Sequence, residues 1–476
     1  MLLSQLLTLP AGVPDREITA ITCDSRRIVP GCAFVCIEGT ARDGHDFAPA
    51  AVEGGAAAVI TRRPLGLPGE VTVPDTRLEW AGMCRRWFGD PARRLRMIGV
   101  TGTNGKTTVT WLIKSALERC GYKVGLMGTI QNMIGEEILP SGHTTPDPYE
   151  LQQTLARMVE AGCEFGVMEV SSHALCQDRV AGIRFEAGIF TNLTQDHLDY
   201  HGTMENYMQA KKRLFYQTDL AVMNRDDPRT PAMAAGIPCP LITFGAMGEG
   251  DYTASDPVFR PDGVEFTLGW PDGEKRIRFG IPGRFSVYNA LAAAACLMGV
   301  GIPPLRAAEA LEQAKGVRGR AEILPVGQPY TVVIDYAHTP DGLQNICQTL
   351  KECCPGRLIT LFGCGGDRDR TKRPQMGRIA AALSDLVVVT SDNPRSESPG
   401  AIIREILAGM EGTDTPYEVV ENRPAAIRRA LELARPGDTV LLAGKGHETY
   451  QILAEGTIHL DEREVVAEAL KEQEEK

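Results

Sequence analysis

The chain has 476 residues, of which 43% are hydrophobic and 23% charged, and its formal net charge is −11. A chain of this length is too long for a single core, so we expect two to four domains. The excess of acidic residues argues against a nucleic-acid partner or an anionic membrane surface, and leaves room for a local basic site.

The cysteines and the apolar segments indicate the compartment. The 13 cysteines are scattered without a C-x-x-C pair, which is typical of reduced cytosolic thiols. Leu2, Leu3, Leu6 and Leu7 precede Pro10 and lack a basic leader, so we expect a small core helix there and not a signal peptide. No apolar run approaches the roughly 20 residues that span a bilayer. We expect a cytoplasmic, soluble, multidomain protein.

Residues 1–88 alternate short apolar runs with turns, and we predict that they form a small α/β domain. The polar segments 23–27 and 44–47 each follow a predicted strand. Taken alone, they are ligand contacts or, more simply, surface loops. A predicted helix over residues 80–88 leads to Asp90-Pro91, which marks the first domain boundary.

Residues 99–108 read Gly-Val-Thr-Gly-Thr-Asn-Gly-Lys-Thr-Thr and open a helix with one apolar face. A strand, a Gly-rich loop, Lys-Thr and a helix form the arrangement that binds nucleotide phosphates. Backbone N–H groups face the anion, Lys106 neutralises it, and the Thr107 hydroxyl reaches Mg²⁺. The strict pattern requires glycine at position 100, which is Val, so the alternative is a structural Gly-rich turn.

The predicted central domain, residues 89–317, contains two further strands that end in polar side chains. Glu169 lies near the end of the apolar run 165–170, and the run 187–190 leads to His197. In a parallel sheet, ligands collect at the carboxyl ends of the strands, so both side chains should lie on the P-loop side. Glu169 is therefore a candidate Mg²⁺ ligand, the alternative being a cap for the next helix. The Pro- and Gly-rich segment 226–283 predicts β-hairpins.

Residues 318–476 repeat the strand–helix pattern cleanly. Apolar runs at 330–335, 357–362, 385–390 and 438–443 each end in a Gly-rich or polar segment, which predicts an open, doubly wound domain. The fold class is therefore α/β with three domains. The segment around Gly365-Gly366 is not a dinucleotide fingerprint, because no G-x-G-x-x-G opens a helix there.

Residues 101–108, together with Glu169, Asp-His-Leu-Asp at 196–199 and Asp-Tyr-Ala-His at 335–338, resemble the Mur ligase family. These are ATP-dependent amino-acid ligases of peptidoglycan precursor synthesis, and the resemblance covers the whole chain, including the variant P-loop. It implies a UDP-muramoyl-binding domain, a central ATP-binding domain with a P-loop ATPase-type parallel sheet, and a Rossmann-like domain that binds the amino acid.

Residues 392–395, Asp-Asn-Pro-Arg, resemble the branch of the family that adds meso-2,6-diaminopimelate to UDP-N-acetylmuramoyl-L-alanyl-D-glutamate. The resemblance implies an ADP-forming reaction through an acyl phosphate. Lysine-adding relatives replace the Arg of this motif. A β-turn is a second interpretation of the same four residues, compatible with the first.

The resemblance implies catalytic functions for Lys106, Glu169, His197 and Lys211. Thr107 and Glu169 would bind the nucleotide-bound Mg²⁺, and His197 would help to bind a second Mg²⁺. Lys211 matches the family lysine that reacts with CO₂ to form a carbamate (N6-carboxylysine), which turns a cation into a metal ligand. Without the resemblance, Lys211 and Lys212 would both be interpreted as solvated helix residues.

The same resemblance implies three sets of binding residues. For ATP they are Gly102, Thr103, Asn104, Gly105, Lys106, Thr107, Thr108, Asn289, Arg320, Asp335 and His338. For the UDP-muramoyl peptide they are Ser25, Thr144, Thr145, Ser171, Gln177 and Arg179. For diaminopimelate they are Arg368, Asp392, Asn393, Pro394, Arg395, Gly444 and Glu448, with Arg373 as a weaker candidate.

The chemistry of the last set suits an amino acid with two carboxylates and two amines. Arg395 can bind the distal carboxylate in bidentate fashion, while Asp392 and Glu448 accept from the distal ammonium. L-lysine lacks that carboxylate, and a site built to bond a group rejects an analogue without it by as much as ~10⁴-fold.

Three alternatives stay open on the sequence. The first is the same ligation with L-lysine. The second is folylpolyglutamate synthesis, which is disfavoured because it gives the N-terminal domain and Arg395 no function. The third is a non-catalytic UDP-muropeptide sensor, which the intact Lys106, Glu169, His197 and Lys211 argue against. We expect small-molecule substrates, no nucleic-acid or membrane partner, and a monomer.

Overall fold

Three large sheets and a two-stranded hairpin follow one another along the chain in the computed structural model, which describes residues 1–39, 42–260, 263–314 and 316–474. Each sheet is flanked by helices, and this arrangement confirms the α/β fold class with three domains. Within the described ranges, no helix is both long and apolar enough to cross a bilayer.

The first domain contains a four-stranded parallel sheet in the order β1-β2-β3-β4. The strands are β1 (Ala20–Thr22), β2 (Cys32–Val35), β3 (Ala58–Thr61) and β4 (Glu70–Thr72), and the helices are α1 (Leu3–Leu6), α2 (Ala48–Glu53) and α3 (Thr76–Trp87). Helix α1 buries Leu3 and Leu6, which confirms the predicted core helix. Asp75 caps α3 by accepting from the Arg77 and Leu78 amides.

The second domain contains an 11-stranded sheet in the order β15-β14-β13-β12-β11-β10-β5-β9-β6-β7-β8. Its strands are β5 (Arg96–Thr101), β6 (Val124–Met127), β7 (Asn132–Ile134), β8 (Glu137–Leu139), β9 (Phe165–Glu169), β10 (Phe185–Phe190), β11 (Thr218–Asn224), β12 (Leu241–Gly245), β13 (Tyr252–Arg260), β14 (Gly263–Trp270) and β15 (Gly273–Phe279). Its helices are α4 (Lys106–Arg119), α5 (Pro148–Glu160), α6 (Ser172–Cys176), α7 (Leu198–His201), α8 (Met204–Lys212), α9 (Thr230–Ala234), α10 (Arg284–Gly299) and α11 (Pro304–Glu312).

The prediction of a parallel central sheet holds for the middle of this sheet and is wrong for its edges. Strands β6 and β9 to β13 pair in parallel around β5. At the edges, β7 and β8 on one side and β14 and β15 on the other are antiparallel, because short turns connect them as hairpins. The second of these pairs lies in the segment where hairpins are predicted.

The third domain contains a six-stranded sheet in the order β16-β17-β21-β18-β19-β20, in which only β16 is antiparallel among the described strands. The strands are β16 (Glu322–Leu324), β17 (Thr331–Asp335), β18 (Leu358–Phe362), β19 (Leu386–Val389), β20 (Tyr417–Val419) and β21 (Thr439–Ala443), followed by the hairpin β22 (Tyr450–Leu453) and β23 (Gly456–His459). The helices are α12 (Pro340–Cys353), α13 (Lys372–Leu383), α14 (Pro399–Leu407), α15 (Arg423–Leu433) and α16 (Glu462–Glu474).

Two sets of contacts connect the domains. The Trp80 ring of α3 stacks on Tyr149 of α5 with centroids 6.3 Å apart, which packs the first domain on the second. Asn104 Nδ2 of the P-loop donates to Asp341 Oδ2 of α12 at 2.7 Å, which joins the second domain to the third. The carboxyl ends of the parallel strands of the second and third domains therefore border one cleft.

Candidate active site between the second and third domains

The P-loop lies between β5 and α4 and needs its glycines for close approach. Gly102 and Gly105 have φ angles of 147° and 86°, a backbone region that favours glycine. A Cβ at position 102 would collide with Thr191 Oγ1, and one at position 105 would lie 2.6 Å from Asn289 Oδ1. Asn289, predicted from α10 as an ATP contact, therefore lies directly against the loop.

Glu169 ends β9 and is 1% exposed. Its Oε2 accepts from the Thr107 hydroxyl at 3.0 Å and from the Thr129 hydroxyl at 3.1 Å, while Oε1 accepts from the Thr129 amide at 2.8 Å. The alternative interpretation of Glu169 as a helix cap is wrong, because Ser171 Oγ accepts from Ala174 N and caps α6. A carboxylate and a hydroxyl that already contact each other supply the oxygen ligands that Mg²⁺ prefers.

Lys211 lies on α8 and is 1% exposed, so its interpretation as a solvated residue is wrong. Its Nζ donates to the Gly102 carbonyl at 2.7 Å, and Lys106 Nζ donates to the same carbonyl at 3.0 Å. Burial and the nearby Lys106 ammonium hold the pKa of Lys211 well below its usual value. Lys212 is also buried, at 7% exposure, and donates to the Ala232 carbonyl, which corrects the expectation that it is solvated.

His197 precedes α7 with a left-handed φ of 52° and remains half-exposed. Its ring centroid lies 4.9 Å from that of His173 and 6.3 Å from that of Tyr207, whose ring also contacts Lys211 Nζ. Partial burial and neighbouring histidines lower the pKa of His173 to about 4. His173 follows the strand that carries Glu169, a position that could have marked it as a site neighbour.

The remaining predicted ATP contacts come from the third domain. The Arg320 guanidinium lies 4.8 Å from the Tyr336 ring centroid, and its Nε is buried without a hydrogen-bond partner among the described residues. The Asp335 carboxylate accepts from the Ala321 amide at 2.7 Å, which fixes the chain beside Arg320. His338 is exposed, and its Nδ1 lies 2.8 Å from the Tyr336 carbonyl.

A cavity of about 590 Å³ extends from this region between the two domains. Trp111 and Ile281 line it from the second domain, and Val317, Arg318 and Arg463 line it from the third. The cleft therefore offers both an apolar wall and charged groups beside the P-loop helix.

The predicted UDP-muramoyl-peptide contacts of the second domain form one cluster. Thr145 Oγ1 donates to the Glu169 carbonyl at 2.9 Å and accepts from the Ser171 amide at 3.0 Å. Arg179 donates to the Thr145 carbonyl at 2.8 Å and to Gln177 Oε1 at 2.8 Å.

Thr144 extends this cluster towards the P-loop, since its hydroxyl lies 3.0 Å from that of Thr129. Ser25 lies apart, at the start of the 3₁₀ helix Ser25–Arg27. Within the described ranges, no hydrogen bond joins it to the cluster.

The predicted diaminopimelate contacts come together after β18, β19 and β21. Asn393 Nδ2 donates to Glu448 Oε2 at 3.0 Å. A Cβ at Gly444 would lie 2.6 Å from Asp392 Oδ2, so glycine lets the two loops approach. Arg395 has a φ of 54° and donates through Nη1 to the Gly366 carbonyl at 2.9 Å.

Two further predicted residues complete this region. Arg368 is exposed and donates to the Asp367 carbonyl at 3.1 Å. The Pro394 carbonyl accepts from Glu397 N at 3.0 Å, so the turn spans residues 394–397 and begins two residues after the predicted β-turn at 392–395.

The weaker candidate Arg373 is wrong as a ligand contact. Its side chain is 0% exposed and lies between Glu397 and Glu405, with nitrogen–oxygen distances of 2.8 Å to each. It also donates to the Gly365 carbonyl at 3.1 Å. Arg373 therefore stabilises the loop after β18, because its Nη1 and Nη2 both donate within the protein.

Sequence reasoning missed two buried cations beneath this region. Arg423 of α15 donates to the Ser391 and Ala443 carbonyls at 3.3 and 2.8 Å and pairs with Glu462 at 2.9 Å. It thereby fixes the ends of β19 and β21. Lys445 Nζ lies among the side chains of the same loops. Its position in the Gly-Lys-Gly-His-Glu segment, directly after an apolar strand, could have indicated that it lies near the site.

Comparison with known proteins agrees with this geometry. Three family models match the chain: "Mur ligase family, catalytic domain" at residues 17–75, "Mur ligase middle domain" at 100–297, and "Mur ligase, glutamate ligase domain" at 319–446. With relatives 46–47% identical over nearly the whole chain, the chain belongs to the Mur ligase family.

Two relatives that match over nearly the full length and one solved structure share a name within that family. The chain is 47% identical to the UDP-N-acetylmuramoyl-L-alanyl-D-glutamate--2,6-diaminopimelate ligase of Syntrophomonas wolfei, over 98% of this chain and 97% of that protein. It is 46% identical to the protein of the same name from Clostridium botulinum, over 96% of each. A solved structure of a ligase with this name superposes with a TM-score of 0.75 at 32% identity, covering 100% of this chain and 99% of that chain.

Proposed function

We propose that the protein ligates meso-2,6-diaminopimelate to UDP-N-acetylmuramoyl-L-alanyl-D-glutamate with conversion of ATP to ADP and phosphate. The observation that carries this proposal is the junction between the second and third domains. Asn104 of the P-loop donates to Asp341 of α12 there. Arg320 lies on the Tyr336 ring, and the Tyr336 hydroxyl lies 3.5 Å from Glu448 Oε1. The names of relatives that match over nearly the full length support the same reaction.

The P-loop supplies the phosphate site of this reaction. Backbone N–H groups of residues 102–108 and the N-terminus of α4 face a bound anion. Lys106, now bonded to the Gly102 and Thr103 carbonyls, would move onto the phosphates. Thr107 and Glu169 fit a Mg²⁺ ion, which would supply neutralisation of the phosphate charge.

The ligation proceeds in two steps. A carboxylate oxygen of the dipeptide's D-glutamate attacks the γ-phosphorus, the bond to the bridging oxygen breaks, and ADP leaves with an acyl phosphate formed. The amine of the amino acid then attacks the acyl carbon, phosphate leaves, and the amine proton passes to solvent. Positioning and charge neutralisation in the cleft supply most of the catalysis.

Lys211 is proposed to act as a carbamate together with His197 at a second Mg²⁺ site. Only a neutral amine adds to CO₂, and the environment of Lys211 lowers the pKa of its ammonium strongly. The reaction joins the amine nitrogen to the carbon of CO₂ and releases one proton. Lys211 Nζ now donates to the Gly102 carbonyl, and the carbamate would form at this nitrogen.

The other proposed assignments follow the domains. The UDP-muramoyl group would bind to residues 1–88, including Ser25. ATP and the peptide would bind to residues 89–317, and diaminopimelate would bind to residues 318–476. The peptide would contact the cluster of Thr144, Thr145, Ser171, Gln177 and Arg179. We further propose a cytoplasmic monomer that acts on small molecules.

Phosphate release tests the proposal. The purified protein is incubated with UDP-muramoyl dipeptide, ATP and Mg²⁺, and with diaminopimelate, L-lysine or no amino acid, and the product is identified by mass. We expect release and a tripeptide product with diaminopimelate. Release with lysine alone would overturn the proposed specificity, and release with neither would favour a sensor.

A further inference from the structure

Lys445 is the buried cation closest to the proposed amino-acid contacts. It lies in the turn after β21, and its side chain is 0% exposed. Nζ donates to Asn393 Oδ1 at 2.7 Å and to Glu448 Oε2 at 2.9 Å, and it lies 3.9 Å from Asp392 Oδ1. All three neighbours are residues proposed to bind diaminopimelate.

The partners of Lys445 distinguish it from other buried lysines of the chain. Lys212 donates to backbone carbonyls and Lys114 pairs with Glu118 of the same helix, as structural lysines commonly do. The hydrogen bonds of Lys445 go to side chains that border the cleft. Burying an ammonium costs several kcal/mol unless it is paired, so these side chains and the lysine stabilise one another.

The contacts also determine which oxygen of Glu448 is held. Lys445 Nζ and Asn393 Nδ2 both donate to Oε2 of Glu448. The other oxygen, Oε1, lies 3.5 Å from the Tyr336 hydroxyl. The lysine and Asn393 therefore hold the carboxylate through Oε2.

Charge balance gives the lysine a second effect. Two carboxylates that share a buried site repel each other. Lys445 Nζ lies 2.9 Å from Glu448 Oε2 and 3.9 Å from Asp392 Oδ1, so its positive charge offsets that repulsion. A pair of carboxylates held together in this way can accept strong hydrogen bonds from a substrate ammonium.

We propose that Lys445 is a positioning residue of the amino-acid site. It holds Glu448 and Asn393 in one arrangement and places a positive charge beside the Asp392–Glu448 pair, so that the pair accepts the distal ammonium of the incoming amino acid. This inference rests on the proposed function, because it takes the amino-acid site from it.

The test compares Lys445→Met, which removes charge and donors, with Lys445→Gln, which keeps a donor at similar length. Lys114→Met is the matched control, since Lys114 is also buried, at 5% exposure, but pairs with Glu118 on α4. For each protein, kcat and the KM values for diaminopimelate and ATP are measured, together with the thermal midpoint.

We expect Lys445→Met to raise the KM for diaminopimelate about tenfold or more, and Lys445→Gln to raise it less. The KM for ATP should stay within about twofold in both variants, because Lys445 contacts residues that are proposed to bind the amino acid. Lys114→Met should lower the thermal midpoint and leave both KM values unchanged.

Three results would overturn the inference. They are an unchanged KM for diaminopimelate in Lys445→Met, an equal rise of both KM values, or loss of cooperative melting in both Lys445 variants, which would mark a structural role. If the wild-type protein turns over lysine and not diaminopimelate, the proposed function fails by itself. The Lys445 comparison is then made with lysine.

Discussion

Replacing Arg395 with alanine perturbs the amino-acid site at the group that should distinguish diaminopimelate from lysine. Arg395 donates through Nη1 to the Gly366 and Asn393 carbonyls, at 2.9 and 3.4 Å. Its Nε and Nη2 have no hydrogen-bond partner in the part of the chain that the structure describes. These two groups have the spacing that binds a carboxylate in bidentate fashion.

The magnitude follows from the bonds that would be lost. A hydrogen bond to a charged group contributes about 1.5–3 kcal/mol, so kcat/KM for diaminopimelate should fall by about 10- to 150-fold. The fold should tolerate the change, because arginine and alanine are similarly strained at the left-handed φ of 54°. The thermal midpoint should therefore change little.

The assay is phosphate release at varied diaminopimelate and, separately, at varied ATP. The KM for ATP should remain within about twofold, since the P-loop makes no contact with Arg395. Any slow turnover of L-lysine should be unaffected, because lysine has no carboxylate for the guanidinium. An unchanged apparent affinity for diaminopimelate, or an equal loss of affinity for ATP, would show that Arg395 does not bind the distal carboxylate.

Three other predictions concern the metal region and the loop after β18. Glu169→Gln should raise the Mg²⁺ concentration for half-maximal rate by about tenfold or more, and an unchanged Mg²⁺ titration would contradict its proposed ligand function. With ¹³C-bicarbonate, the wild-type protein should give a carbamate resonance that Lys211→Met lacks; a signal equal in both proteins would assign it elsewhere. The Arg373 hydrogen bonds hold the pKa of Glu397 at about 2, below its usual 4.5, so their stabilisation is present above pH 4.5 and is lost as the pH falls towards 2. The urea midpoint of Glu397→Gln should accordingly lie below that of wild type at pH 7 and match it near pH 2, whereas a pH-independent difference would exclude this linkage.

Local patterns were sufficient to predict much of the site. Gly102 and Gly105 are required by the loop geometry itself, and Glu169 follows an apolar strand directly. Such features depend on residues that are neighbours in the sequence, so the sequence pattern alone predicts them. The turn after β19 was also predicted, although it spans residues 394–397 and not 392–395.

Contacts set by sheet order could not be predicted in this way. Strand β21 lies between β17 and β18, and this position brings Lys445 to Asn393, 52 residues away in the chain. The burial of Lys211 likewise depends on how α8 packs against the P-loop, since its own helix is polar in sequence. The antiparallel edge formed by β7 and β8 was missed, whereas the Pro- and Gly-rich composition of segment 226–283 predicted the hairpins of the other edge.

The hydrogen bond between Asn104 and Asp341 has a thermodynamic consequence for the two substrates. Asn104 belongs to the loop that faces the nucleotide, and Asp341 begins the helix that follows β17 of the third domain. A nucleotide that displaces Asn104 would break this contact between the second and third domains, and the third domain is where the amino acid is proposed to bind. Linkage is reciprocal, so the factor by which ATP changes the affinity for the amino acid equals the factor by which the amino acid changes the affinity for ATP.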